Sequence, residues 1–198
     1  HGVNVEEFEI GKFEVTNRQY AQCVKAGNCV GGSAYGEDKS LHPVVSVTWD
    51  GANAYCEWVG GRLPTEAEWE KAARGGLEGK IYPWGDDAPT CTVGASNGAN
   101  FGGEGCPKDT MPVGSFASNG YGLYDMVGNV YEWSSSLYLP CPYVTNYESK
   151  DLSSFDLRVL RGGSWYGNGN FVRSADRFRD VPSNTNFNLG FRCARSLQ

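Results

Sequence analysis

The chain has 198 residues, 40% of them hydrophobic and 20% charged, with 27 glycines and 13% Phe, Trp and Tyr. That is enough chain for one domain with a full core, and the balance excludes a disordered segment. A net charge of −6 without a Lys/Arg-rich run argues against a nucleic-acid partner. No apolar stretch approaches the ~18 residues of a membrane helix, so direct membrane insertion is not expected. Excess glycine with many rings predicts a loop-rich fold, not a helical bundle. The start His1-Gly2-Val3-Asn4 is not a signal peptide and reads as a processed end.

In chain order, Val5 to Val15 alternates loosely and reads as a strand or hairpin. Thr16 caps a short helix with Gln19 at the capping-box position, Tyr20, Cys23 and Val24 on its apolar face, and Gly27 at its end. His42 to Val47 is extended. A second helix runs from about Trp49 to Val59, with Trp49, Ala52, Cys56 and Val59 on one face. A third, capped by Thr65 with Glu68 completing the box, ends near Arg74 before Gly75-Gly76. From Ile81 onward the pattern predicts mostly loop, with strands at Met111–Phe116, Val130–Trp133, Leu157–Leu160 and Leu189–Ala194. Such a half needs disulfides or bound calcium to hold it.

The cysteines are Cys23, Cys29, Cys56, Cys91, Cys106, Cys141 and Cys193. No Cys-x-x-Cys pair occurs and the two histidines, His1 and His42, form no ligand set, so a zinc site is not expected. Disulfides in an oxidising compartment are the favoured reading, and place the protein as secreted, periplasmic or on a cell or virion surface. Cys23/Cys29 and Cys91/Cys106 each bracket a short glycine-containing loop suited to a staple. The competing reading is seven buried small apolar side chains.

Five ordered stretches carry a resemblance. They are Gly11-Lys12-Phe13-Glu14-Val15-Thr16-Asn17, Arg62-Leu63-Pro64-Thr65-Glu66-Ala67-Glu68-Trp69-Glu70, Tyr121 to Trp133 (YGLYDMVGNVYEW), Arg161-Gly162-Gly163-Ser164-Trp165 and Leu189-Gly190-Phe191-Arg192-Cys193. Together they resemble the formylglycine-generating enzyme (sulfatase-modifying factor) family across nearly the whole chain. The resemblance implies one domain over 1–198 with an α+β, C-type-lectin-like fold of little regular secondary structure. It implies a Cys56–Cys193 disulfide and a structural calcium held by Asp125, Gly128, Val130 and Glu132. Asn100 and Phe101 match part of a second family calcium site. Two carboxylates plus backbone carbonyls suit a hard cation, and Gly128 permits the tight loop.

The family's enzymes oxidise a substrate cysteine with copper held by two cysteines between the Arg-Gly-Gly-Ser and Gly-Phe-Arg motifs. Trp165 to Gly190 contains no cysteine, and Gly169 and Ser174 stand near the corresponding places. A thiolate pair is what holds Cu(I), so no copper is expected here. A formylglycine-generating oxidoreductase, or another metal-dependent oxidase of the same fold, is the alternative function.

Residues 166–188 instead combine five asparagines (Asn168, Asn170, Asn184, Asn186, Asn188) with Tyr166, Phe171, Phe178 and Phe187. This composition predicts a ligand face with at least two rings exposed, against a reading in which the rings are core. Trp165, Val172 and Leu189 read as core. The framework Arg158 to Trp165, Val172 to Ala175 and Leu189 to Arg192 also resembles the variable proteins of diversity-generating retroelements, whose asparagine codons are rewritten at adenines. Tyr166, Gly167, Phe171, Asp176, Phe178, Asp180, Val181 and Phe187 are all reachable from such codons. The expected function is therefore non-catalytic binding of a protein or glycan through 166–188. Among the flanking arginines, Arg161 and Arg192 are expected to pair with Asp176, Asp180 and backbone carbonyls, leaving Arg177 and Arg179 as candidates for an acidic ligand.

Overall fold

The structure, a computed structural model, describes residues 4–32, 37–139 and 156–197; Cys141 lies outside them. Strand β1 (Phe8–Ile10) opens the chain and pairs antiparallel with the last strand, β6 (Ala194–Ser196), Phe8 opposite Ser196 and Ile10 opposite Ala194. Helix α1 (Asn17–Lys25) starts at Thr16, whose hydroxyl accepts from the Gln19 amide while the Gln19 side chain returns to the Thr16 backbone. Helix α2 (Trp49–Trp58) is capped by Thr48, and α3 (Glu66–Arg74) by the Thr65/Glu68 box. Gly75 ends α3 in the left-handed conformation at φ 57°, which only glycine adopts without strain. Val24 and Val59, read as core-facing, are exposed.

The central sheet has the order β4-β3-β2-β5, formed by β2 (Tyr131–Leu137), β3 (Arg158–Arg161), β4 (Phe178–Asp180) and β5 (Leu189–Gly190). Strands β2, β3 and β4 pair antiparallel, and β5 runs parallel to β2. One face of the sheet buries Trp133, Leu160 and Leu189 with Tyr20 of α1, Cys56 of α2, Val44, Val47, Leu63 and Phe191. A second cluster packs Trp69, Ala72 and Ala73 of α3 on Leu123 and Met126.

Four strand expectations change. The Val5–Val15 strand or hairpin shortens to the single strand β1, because the Gly11 and Val15 amides turn to the Cys193 and Phe191 carbonyls. Met111–Phe116 is not a strand: the Met111 amide donates to Asn129 Oδ1, Val113 to the Leu41 carbonyl, and Gly114 turns at φ 79°. Leu189–Ala194 splits between two sheets, since Arg192 between them carries its side chain into the interior. Strand β4 forms inside the segment read as loop, with Phe178 opposite Leu160.

Disulfides join Cys23–Cys29, Cys56–Cys193 and Cys91–Cys106, with Cα–Cα distances of 5.3, 5.4 and 5.4 Å. The middle one ties α2 to the end of the chain. Among the described residues no helix is long and apolar enough to cross a membrane.

Candidate ligand-binding face

The site begins at the end of β3, where Gly162 and Gly163 turn at φ 92° and 72°. A Cβ on Gly163 would collide with the Phe171 backbone, so the turn brings 166–171 back over the sheet edge. Burial along the segment then separates two kinds of position. Val172, Ser174, Pro182 and Leu189 are buried, while none of the expected ligand residues is. Tyr166 is 68% exposed, Phe178 49%, Phe187 46% and Phe171 40%, so all four rings face outward. Trp165, expected in the core, is only partly buried. It stands edge-on to Tyr166 at 5.6 Å and tilted against Phe187 at 5.5 Å, and those two rings meet at 5.3 Å. Its Nε1 is buried without a partner among the described residues.

Sequence reasoning passed over Tyr131. Its ring stacks on Phe178 at 5.5 Å, extending the face onto β2. Burial first, then Asp176, pushes the Tyr131 hydroxyl up to about 12, so it remains a donor at neutral pH.

The polar members mostly brace the loops. Asn168 Oδ1 accepts from the Asn170 amide, Asn184 Oδ1 from Thr185, and Asn186 Oδ1 from Phe187, each a local turn at 2.8–2.9 Å. Asp180 accepts from Val181 at 2.8 Å and from Asn184 Nδ2 at 2.5 Å, and Asn188 Nδ2 donates to Ser164 Oγ. Asp176 accepts from Arg173. The loops are anchored by Ser46 donating to the Asn186 carbonyl and Trp49 to that of Pro182.

The arginines sort differently from one another. Arg161 is fully buried, donating to Glu70 at 2.6 Å and to the Ser174 and Asp176 carbonyls. Arg177, a candidate for an acidic ligand, instead grips both oxygens of Glu66 at 2.5 and 2.8 Å. That ion pair anchors the segment to α3. Arg179 is exposed and lies 4.6 Å over the Tyr138 ring.

The expected cation ligands Asp125, Gly128, Val130 and Glu132 run from the loop before β2 into that strand. Glu132 accepts from Arg192 at 2.7–2.9 Å and from Trp69 Nε1 at 2.7 Å; Asp125 Oδ2 accepts from the Gly114 amide at 2.6 Å. Gly128 turns at φ 81° against the Asn100 backbone. Sequence reasoning did not single out Glu14, although it stands as a charge between Phe13 and Val15. It is buried, and its oxygens accept from Asn129 Nδ2 at 2.6 Å and the Val130 amide at 3.2 Å. Burial first, then Asp125 and Glu132, pushes the Glu14 carboxyl well above its ordinary range. Burial, with Glu132 adding, lifts Asp125 to about 6. Three buried carboxyl groups thus crowd around Arg192, a set of oxygens that could be ionised together only beside a further cation. Among the described residues no three His, Cys, Asp or Glu side chains converge as metal ligands, so backbone carbonyls would have to complete the set. At the second place, Asn100 Oδ1 is buried without a partner among the described residues, as an oxygen ligand would be, while the Phe101 carbonyl accepts from Gly103.

The sequence profile of the Sulfatase-modifying factor enzyme 1-like domain matches residues 1–197. The chain belongs to this family. It is 43% identical over 163 residues to the Inactive C-alpha-formylglycine-generating enzyme 2 of Mus musculus, covering 78% of this chain and 49% of that protein. It is 41% identical over 167 residues to the Formylglycine-generating enzyme of Mus musculus, covering 79% and 45%. The sulfatase-modifying factor domain here thus spans about half the length of these relatives. Among solved structures, Treponema denticola variable protein 1 superposes with a TM-score of 0.74 at 28% identity, covering 96% of this chain and 84% of that one. The Major Tropism Determinant M1 Variant shares the fold alone, with a TM-score of 0.57 at 18% identity over 96% and 51% of the two chains. The α+β fold with little regular structure and the family resemblance of the five motifs are borne out.

Proposed function

We propose that this domain is a non-catalytic binding module that offers the 166–188 face, with Tyr131 beside it, to a protein or glycan. The observation that carries the reading is the separation along one segment: exposed Tyr166, Phe171, Phe178 and Phe187 on a frame of buried Val172, Ser174, Pro182 and Leu189. Rings on a fixed frame give contact area at low entropy cost. The segment holds no cysteine for a copper site. The family also includes a relative named as inactive, and a variable protein shares the fold, which supports binding over catalysis on this scaffold. We further propose that retroelement diversification rewrites this segment, that calcium braces the domain through Asp125, Gly128, Val130 and Glu132 and at Asn100 and Phe101, and that the three disulfides suit it to an extracellular or periplasmic setting.

The test is the variant Tyr166→Ala/Phe178→Ala/Phe187→Ala, assayed against binders of the parent domain recovered from a glycan array and from purified surface proteins. Binding falls at least about a hundredfold while the melting temperature moves by only a few degrees. A collapse in melting temperature shows the rings to be structural and overturns the reading. Copper- or iron-dependent oxygen consumption with a thiol substrate restores the oxidase alternative. A nearby DNA copy of the codons for 158–192, differing mainly at adenines, is what diversification requires.

A further inference from the structure

We infer that the loop closed by Cys91–Cys106 is a clamp for the tip of the ligand face, and that it grips the tip through backbone, so its hold does not depend on which side chain stands at position 166. The inference rests on the binding reading for its purpose. Three contacts carry it. The Gly102 amide donates to the Gly167 carbonyl at 2.6 Å. A Cβ on Gly102 would sit 2.7 Å from the Tyr166 carbonyl oxygen and 2.9 Å from that of Gly167, so the two backbones touch without room for a side chain. Further along, Phe101 lies under Gly169, where an added Cβ would meet its ring at 3.6 Å, and packs with Ala99 and Val127 around Val172 of the frame.

The clamp is itself fixed at three points. The disulfide closes it. The Ala99 amide returns to the Thr90 carbonyl at 2.8 Å. The Asn100 carbonyl accepts from the Asn129 amide at 2.8 Å, and the Asn129 carbonyl accepts from Trp165 at 2.9 Å, so one residue joins the clamp to the start of the tip. None of these bonds uses the side chain of Tyr166, Asn168 or Asn170. A face whose tip is held by side chains would lose its shape with each substitution; one held through carbonyls keeps it.

Hydrogen exchange of the peptide covering 165–171 tests this without any ligand, so its outcome is separate from that of the binding experiment. In Cys91→Ser/Cys106→Ser, exchange there quickens about tenfold or more, with β1 and β6 unchanged as the measure that the fold stands. Gly102→Ala does the same with the disulfide intact, and decides the matter alone should the double variant fail to fold. Tyr166→Ala leaves the rate within about twofold. Unchanged exchange in the two clamp variants overturns the inference. So does a Tyr166→Ala effect as large as that of Gly102→Ala, since the tip would then be held by its side chains.

Discussion

Arg192 and Glu132 form an ion pair sealed from solvent, Nη2 to Oε1 at 2.7 Å, with the side chains 0% and 1% exposed. The guanidinium also donates to the carbonyls of Gly11, Tyr124 and Asp125, so one side chain joins the last segment to the N-terminal extended strand and to the loop before β2. Its loss leaves Glu132, among the described residues, with Trp69 as its hydrogen-bond partner and removes the cation facing Glu14 and Asp125. Arg192→Met is expected to cost about 3–5 kcal/mol, the penalty of a buried charge without its partner, read from the urea midpoint. A loss under about 1 kcal/mol would mean the carboxylates are neutral in the folded state.

The disulfides differ in leverage. Cys56–Cys193 spans 137 residues and Cys23–Cys29 only 6. The chain-entropy relation gives about 5 kcal/mol for the long closure and about 2 for the short one. Paired Cys→Ala variants, each compared with the parent by calorimetry, are expected to rank in that order. The reverse order would show that denatured-state structure, not loop length, controls the effect.

The helices were legible because their signals are local: Thr16 with Gln19 and Thr65 with Glu68 announce two starts within four residues, and the structure contains both boxes. The strands were less legible because their partners are remote. Nothing near Leu189–Ala194 says that Leu189 pairs with Tyr131 while Ala194 pairs with Ile10, and the break depends on where Arg192 finds Glu132. Strand β4 is three residues long and takes its form from β3, not from its own sequence. At the site, composition gave the exposed rings. It did not separate asparagines that turn the chain from those that face solvent, and it left Arg177 a candidate for an acidic ligand when Glu66, 111 residues away, holds it. Tyr131 and Glu14 were hidden inside motifs quoted for other residues.

Neighbouring positions 171 and 172 make a direct comparison. Phe171 is exposed, and Val172 is fully buried with Ala99 and Val127. Val172→Ala, the smaller change in atoms, is expected to lose about 2 kcal/mol. Phe171→Ala is expected to lose less than about 1. Thermal denaturation of both variants checks the contrast, and a larger loss at 171 would return that ring to the core.

The carboxylates around Arg192 predict a pH response whose sign depends on the cation. Burial raises Glu14, and raises Asp125 to about 6, against an ordinary Asp value near 4. A carboxyl raised in the folded state binds more protons folded than unfolded, so its contribution is present below the unfolded value and is lost as pH rises through the folded one. In chelator, stability should therefore fall between about pH 4 and about pH 6. Calcium needs the same carboxylates ionised, so with millimolar calcium the loss should shrink or reverse over that window, and the melting temperature near pH 7 should rise by several degrees. Melting curves at pH 4.5, 6 and 7.5 with and without calcium provide the check. Parallel curves in the two conditions would show that calcium does not bind these groups.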